Sequence, residues 1–172
     1  MIASLIATCL LICILTWICI QDFRERQVYV YCYPLLAISA LGVQYTHCGF
    51  GDLFIENVIV NSSILLVQFG IIAVYFKYVR GTALKAAIGL GDLLFYFCLT
   101  LFMSVPVFIV FNILSLLTVI VLYLLVRKQL AIHRNSIPLA GIQAACLIIV
   151  QTYDYCYMNI LGTCYIPQWI IR

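Results

Sequence analysis

Six acidic residues occur in this chain of 172, and two of them stand where acids are costly. Asp92 lies in Ile88-Gly89-Leu90-Gly91-Asp92, a carboxylate in a glycine-flanked turn at the head of a long apolar run. Asp22 lies in Gln21-Asp22-Phe23-Arg24-Glu25-Arg26, where another apolar run ends. Ionisable groups at membrane depth are expensive and tend to be functional. Two carboxylates brought together cannot both ionise readily, so they share a proton and titrate as a pair. The ionised partner can take a proton from water as that water attacks a peptide carbonyl, and the protonated partner can donate to the carbonyl oxygen. This aspartyl chemistry needs no metal and no cofactor, and none is expected.

Each acid also has a plain structural reading. An Asp near a helix start accepts orphan backbone N–H groups, which would account for Asp92. Arg24 or Arg26 would neutralise Asp22 at the interface. Two features favour function. Gly89 and Gly91 cost helix stability, and such sites let a backbone bend or approach another group closely. The topology derived below also puts both acids on one side of the membrane. The other acids need no special role: Asp52, Glu56 and Asp154 read as solvated loop or span-end residues, and Glu25 as a charge partner between Arg24 and Arg26.

Competing chemistries find little support. His47 and His133 fall in loops on opposite sides, so no histidine cluster faces the acids. Nine cysteines are present, but no C-x-x-C pair, and a zinc site is not expected. Cys9, Cys13, Cys19, Cys98 and Cys146 read as small buried hydrophobes, while Cys48, Cys156 and Cys164 fall in segments where a disulfide is conceivable. No G-x-S-x-G or H-E-x-x-H motif occurs. Ser62, Ser63 and Asn112 are polar residues within spans and read as helix–helix hydrogen-bonding groups.

The elements that must position the acids follow from composition. The chain is 66% hydrophobic and 9% charged, with a mean hydropathy of +1.17. No soluble domain of this size hides so much apolar surface, so the bilayer is the expected solvent. A net charge of +3 points to no nucleic-acid partner. The expected fold is an all-α integral membrane protein, a polytopic bundle of about six transmembrane helices in a single domain over 1–172. Charge-free runs put the spans at roughly 2–21, 29–46, 57–77, 88–104, 106–126 and 137–157, with an outer surface tail at 158–172. Pro106 is expected to break the 34-residue run 93–126 into two helices. The first run has no basic residue before it and no small-residue cleavage site after it, which favours a retained span over a signal peptide.

Basic residues orient these spans. Arg24, Arg26, Lys77, Arg80, Lys85, Arg127, Lys128 and Arg134 all fall in the loops after spans 1, 3 and 5, and the loops after spans 2 and 4 contain none. Positive charge marks the cytoplasmic face. The N-terminus is therefore expected outside, and Asp22 and Asp92 on the cytoplasmic side of a plasma membrane.

These residues resemble a known family. Asp22-Phe23-Arg24-Glu25-Arg26-Gln27-Val28 is similar to the first acid region of type IV prepilin peptidases and archaeal preflagellin peptidases. Gly89-Leu90-Gly91-Asp92 is similar to their second, the GxGD motif. Order, a separation of 70 residues, length and topology agree over essentially the whole chain. The resemblance implies a membrane aspartic endopeptidase with Asp22 and Asp92 as catalytic residues and Gly89, Gly91, Arg24 and Arg26 as supporting motif residues. Its implied partners are pilin-like precursors with a basic leader and a hydrophobic helix, cut at the cytoplasmic face. Two positions depart from the family pattern: Leu94 stands where Lys is common, and Tyr29-Val30 where bacterial members often carry Pro-Asn or Pro-Asp. Nothing precedes the first span, so the chain resembles the short, peptidase-only forms and no methyltransferase region is expected. Pro138-Leu139-Ala140 is loosely similar to the PAL-type motif of presenilin-like GxGD proteases, the runner-up family. A small proton-coupled transporter and a non-catalytic assembly subunit are the alternatives from other classes.

Overall fold

A computed structural model describes residues 2–80, 89–130 and 139–154. Among these residues it is helical, with short turns between helices. In chain order the elements are α1 (Ile2–Glu25), α2 (Cys32–Cys48), α3 (Asp52–Tyr75) continued by a π-helical turn (Phe76–Arg80), α4 (Leu90–Thr100), α5 (Val105–Leu130) and α6 (Leu139–Tyr153). In a helix each apolar segment satisfies its own backbone amides, as a segment crossing hydrocarbon must.

Among the described residues, three helices are long and apolar enough to cross a membrane: Ile2–Glu25, Asp52–Tyr78 and Val105–Leu122. Their outward faces carry bare aliphatic side chains, with Leu66 75% and Leu125 72% exposed. In water such faces would drive association, whereas in lipid they are simply solvated. The expected span 88–104 is the main departure. Its helix has 11 residues, about 16 Å of rise against a hydrocarbon core of roughly 30 Å. It stops at Thr100, and the chain turns at Leu101–Ser104. Pro106, expected at the turn, instead lies in the first turn of α5, where a missing N–H removes no intrahelical bond.

One continuous core joins the elements. Leu11, Leu15 and Ile18 present one face of α1 and are fully buried with Leu36 and Ala40 of α2, Phe95 and Leu99 of α4, and Ala144 and Leu147 of α6. Helix α1 packs on α2 and α6; α4 touches α2, α3 and α6; α5 lies on α3 and α6. Amide side chains tie α3 to its neighbours. Asn61 donates to the Met103 carbonyl at 2.8 Å, Asn57 accepts from the Val105 N–H at 3.1 Å, and Asn112 donates to Gln68 at 2.6 Å.

Several expectations need correction. Asn112 does bond another helix, but Ser63 faces outward and donates to the Ile59 carbonyl of its own helix. Asn57 and Asn61 do the work between helices instead. Cys98 is buried, but Cys9 and Cys13 are exposed and Cys19 and Cys146 only half-buried. A thiol is apolar enough to face lipid. Asp154, expected in solvent, is 8% exposed at the end of α6. The tail 158–172, Lys85, His133, Arg134 and the Cys156 and Cys164 thiols lie outside the described residues, as does the side chain of Cys48.

Candidate active site

Asp22 reaches the site on the last turn of α1. The helix closes there because Arg26 adopts a left-handed conformation (φ 56°) and its N–H bonds the Asp22 carbonyl at 3.1 Å. A left-handed residue is a common helix stop, though glycine usually fills it. Asp22 is 7% exposed, and its carboxylate feels the Arg26 charge. Arg26 is half-buried, while Arg24 points outward and lies exposed. Glu25 is exposed and accepts a hydrogen bond from the Tyr29 hydroxyl.

Asp92 enters from the opposite direction, on the first turn of α4. Gly89 is the extended N-cap residue (φ −65°, ψ 141°), and its carbonyl accepts the Asp92 N–H at 3.1 Å. The Asp92 carboxylate accepts the Gly89 N–H in return. This is half of a capping box: Asp at the third helical position caps the Gly89 N–H, while Gly89 has no side chain to cap in return. The plain reading of Asp92 as a cap therefore holds, and it is only half of the residue's surroundings.

The other half comes from α6. The Gly141 N–H donates to Asp22 Oδ2 at 2.6 Å, and the adjacent Ala140 N–H donates to the Asp92 carboxylate. Both amides belong to the first turn of α6, where N–H groups have no intrahelical acceptor and the helix dipole favours negative charge. One helix start thus holds both carboxylates, and each lies within the other's field. The approach is close because position 141 has no side chain. A Cβ there would stand 3.0 Å from Asp22 Oδ2, 3.1 Å from its Cβ and 3.1 Å from Phe23 Cδ2.

Two tyrosines complete the surroundings. Tyr33, at the start of α2, is 3% exposed and lies in the field of both carboxylates. Its hydroxyl is buried against Gly91 and bonds no group among the described residues. Tyr96, one turn beyond Asp92, accepts a hydrogen bond from Gln143 of α6 and shares one with Ser115 of α5. These bonds fix how α4, α5 and α6 meet behind the acids. Leu94 is half-buried against the core, a place where an ammonium group would lose its hydration.

The arrangement brings Asp22, Asp92, Gly89 and Gly91 together. Arg26 stands close to Asp22, and Arg24 does not. Sequence reasoning passed over Gly141, Tyr33, Tyr96 and Gln143. Only Leu139-Ala140 carried a signal, through its loose likeness to the PAL-type motif. Chemically, two carboxylates that share a field and a set of backbone donors are able to hold one proton between them, the condition that acid–base activation of water would need. No protein-family model, curated protein or solved structure matches the chain.

Proposed function

We propose that this protein is a membrane-embedded aspartic endopeptidase, with Asp22 and Asp92 as its acid–base pair. One observation carries the reading: adjacent amides at the start of α6 hold both carboxylates, although 70 residues separate them in sequence. A purely structural cap needs one carboxylate, and a second at the same helix start adds repulsion that packing alone does not reward.

The mechanism follows from the pair. With one proton between them, the ionised carboxylate removes a proton from water, whose oxygen bonds the scissile carbonyl carbon. The other carboxylate gives its proton to the carbonyl oxygen. Collapse of the tetrahedral intermediate breaks the C–N bond as the amine leaves protonated. The amides of Ala140 and Gly141 hold the carboxylates in place throughout and need no reorganisation.

The resemblance to prepilin and preflagellin peptidases supplies the substrate class: pilin-like precursors with a basic leader and an apolar helix. Such a precursor shares the bilayer with the enzyme and brings its leader to the membrane surface. The loop charges support a six-span arrangement in a plasma membrane, with the N-terminus outside and both acids at the cytoplasmic face.

The test is leader removal from co-expressed precursors. Asp22→Asn and Asp92→Asn each keep the size of the side chain and should insert normally while leaving the leader uncut. Normal processing by either variant sinks the assignment. Acid-driven uptake into vesicles without any cleavage would instead favour the carrier alternative.

A further inference from the structure

Tyr33 occupies a place that neither motif explains. Its hydroxyl is buried and has no hydrogen-bond partner among the described residues. A buried hydroxyl left so loses its hydration without a compensating bond, and phenylalanine would avoid that loss. The hydroxyl does have a steric neighbour. A Cβ at Gly91 would run into the Tyr33 oxygen but would stand 3.4 Å from Cζ, an ordinary van der Waals distance. The oxygen therefore fills the space that a side chain at position 91 would need. The ring cannot swing aside easily, because Tyr33 is only 3% exposed.

The same residue grips α4 a second time. The Cys98 thiol, two turns beyond Gly91, donates to the Tyr33 carbonyl at 3.5 Å. One residue at the start of α2 thus contacts α4 through its side chain at one end and its backbone further along. Asp92 lies between those contacts, next to the first. Tyr96 and Asp92 tie α4 to α5 and α6, whereas towards α2 its placement relies on these two contacts with Tyr33.

We propose that Tyr33 is a positioning residue that pins the register of α4 through the contact between its hydroxyl and Gly91, and so sets where the Asp92 carboxylate faces Asp22. The proposal rests on the peptidase reading for its consequence in catalysis, but not for the contact itself. In this view the second glycine of Gly89-Leu90-Gly91-Asp92 is required because tyrosine occupies its side-chain space. The bulk of the hydroxyl matters, and its proton does not.

Reciprocal rescue tests this. Tyr33→Phe empties the space, Gly91→Ala overfills it, and the double variant puts a methyl group where the oxygen was. The assay uses the full-length protein in lipid nanodiscs, with a synthetic precursor carrying a basic leader and an apolar helix. Misplacement of a reacting group by about 1 Å costs roughly 100-fold in rate, so smaller shifts should lower kcat by about tenfold in Tyr33→Phe and by more in Gly91→Ala. KM should stay within about threefold in both, because precursor binding is untouched. The double variant should recover to within about threefold of the parent, above either single variant. A double variant no better than the worse single overturns the proposal. So does a Tyr33→Phe variant with the parent's kcat. If Tyr33 instead acted through its proton, the double variant would remain as slow as Tyr33→Phe, which also overturns it. Thermal unfolding of the four proteins reads the contact without cleavage: Gly91→Ala should melt lower and the double variant should recover. A parent that cut no precursor would defeat the peptidase reading, and the melting series alone would then decide whether the pin exists.

Discussion

The two ends of α4 solve opposite problems. At its start, carboxylate side chains accept hydrogen bonds from backbone amides at Gly89, Ala140 and Gly141. Beyond its last residue, the turn into α5 reverses the roles at one bond: Asn61 of α3 donates to the Met103 carbonyl, while Asn57 accepts the Val105 N–H. The far end uses neutral amides, which satisfy a chain reversal at modest cost in a poor solvent. The near end concentrates two acids that repel when both are charged. On the proposed reading the acids serve chemistry rather than the fold, and the difference between the ends is what substitutions should expose.

The largest effect should come from the acids. Asp22→Asn and Asp92→Asn should each lower leader cleavage by about 10²–10⁴-fold, the usual worth of an acid–base group, with insertion unchanged by protease protection. The parent's rate should also fall at both pH extremes. Below the range of the pair neither carboxylate can accept a proton from water, and above it neither can donate one. A profile with a single limb would argue against a shared proton. Next in size is Gly141→Ala. A Cβ at 3.0–3.1 Å from three atoms of Asp22 and Phe23 forces backbone or carboxylate to move, and overpacking of this kind costs about 1–3 kcal/mol. Cleavage and melting temperature should both drop; an unaffected Gly141→Ala variant would show that the α6 amides do not hold the pair tightly.

Smaller effects belong to the far end. Asn61→Ala leaves the Met103 carbonyl without its donor and should destabilise by about 0.6–1.7 kcal/mol, read as a lower melting temperature with kcat preserved. A loss of kcat with no change in melting would blur the contrast between the ends. Smallest is Ser63→Ala, because that hydroxyl only bonds its own helix on an exposed face. Its stability should stay within about 0.5 kcal/mol of the parent, and a larger loss would mean that the face of α3 carrying Ser63 packs on another protein.

Much of the helical plan was legible because period and composition are local properties. Five charge-free runs, the fourth split near Pro106, located the six described helices, and two acids stood out because so few charges interrupt them. Boundaries were less legible. The stop at Thr100 depends on Asn57 and Asn61 of α3 receiving the turn that follows, and no residue near Thr100 announces it. Pro106 looked like the break, but a proline suits the first turn of a helix equally well. Cys9 and Cys13 read as core residues because a thiol suits lipid and protein interior alike.

For the site, the sequence by itself determined which carboxylates were costly, that glycines flank one of them, and that arginines follow the other. Those are properties of single segments, set by side-chain chemistry and spacing. Only the tertiary structure decided that the start of α6 would hold both acids, that Gly141 must lack a side chain, and that Tyr33 would fill the space beside Gly91. Each of those facts is a distance between segments far apart in the chain. Such distances are set by how helices pack, and packing depends on every neighbour at once.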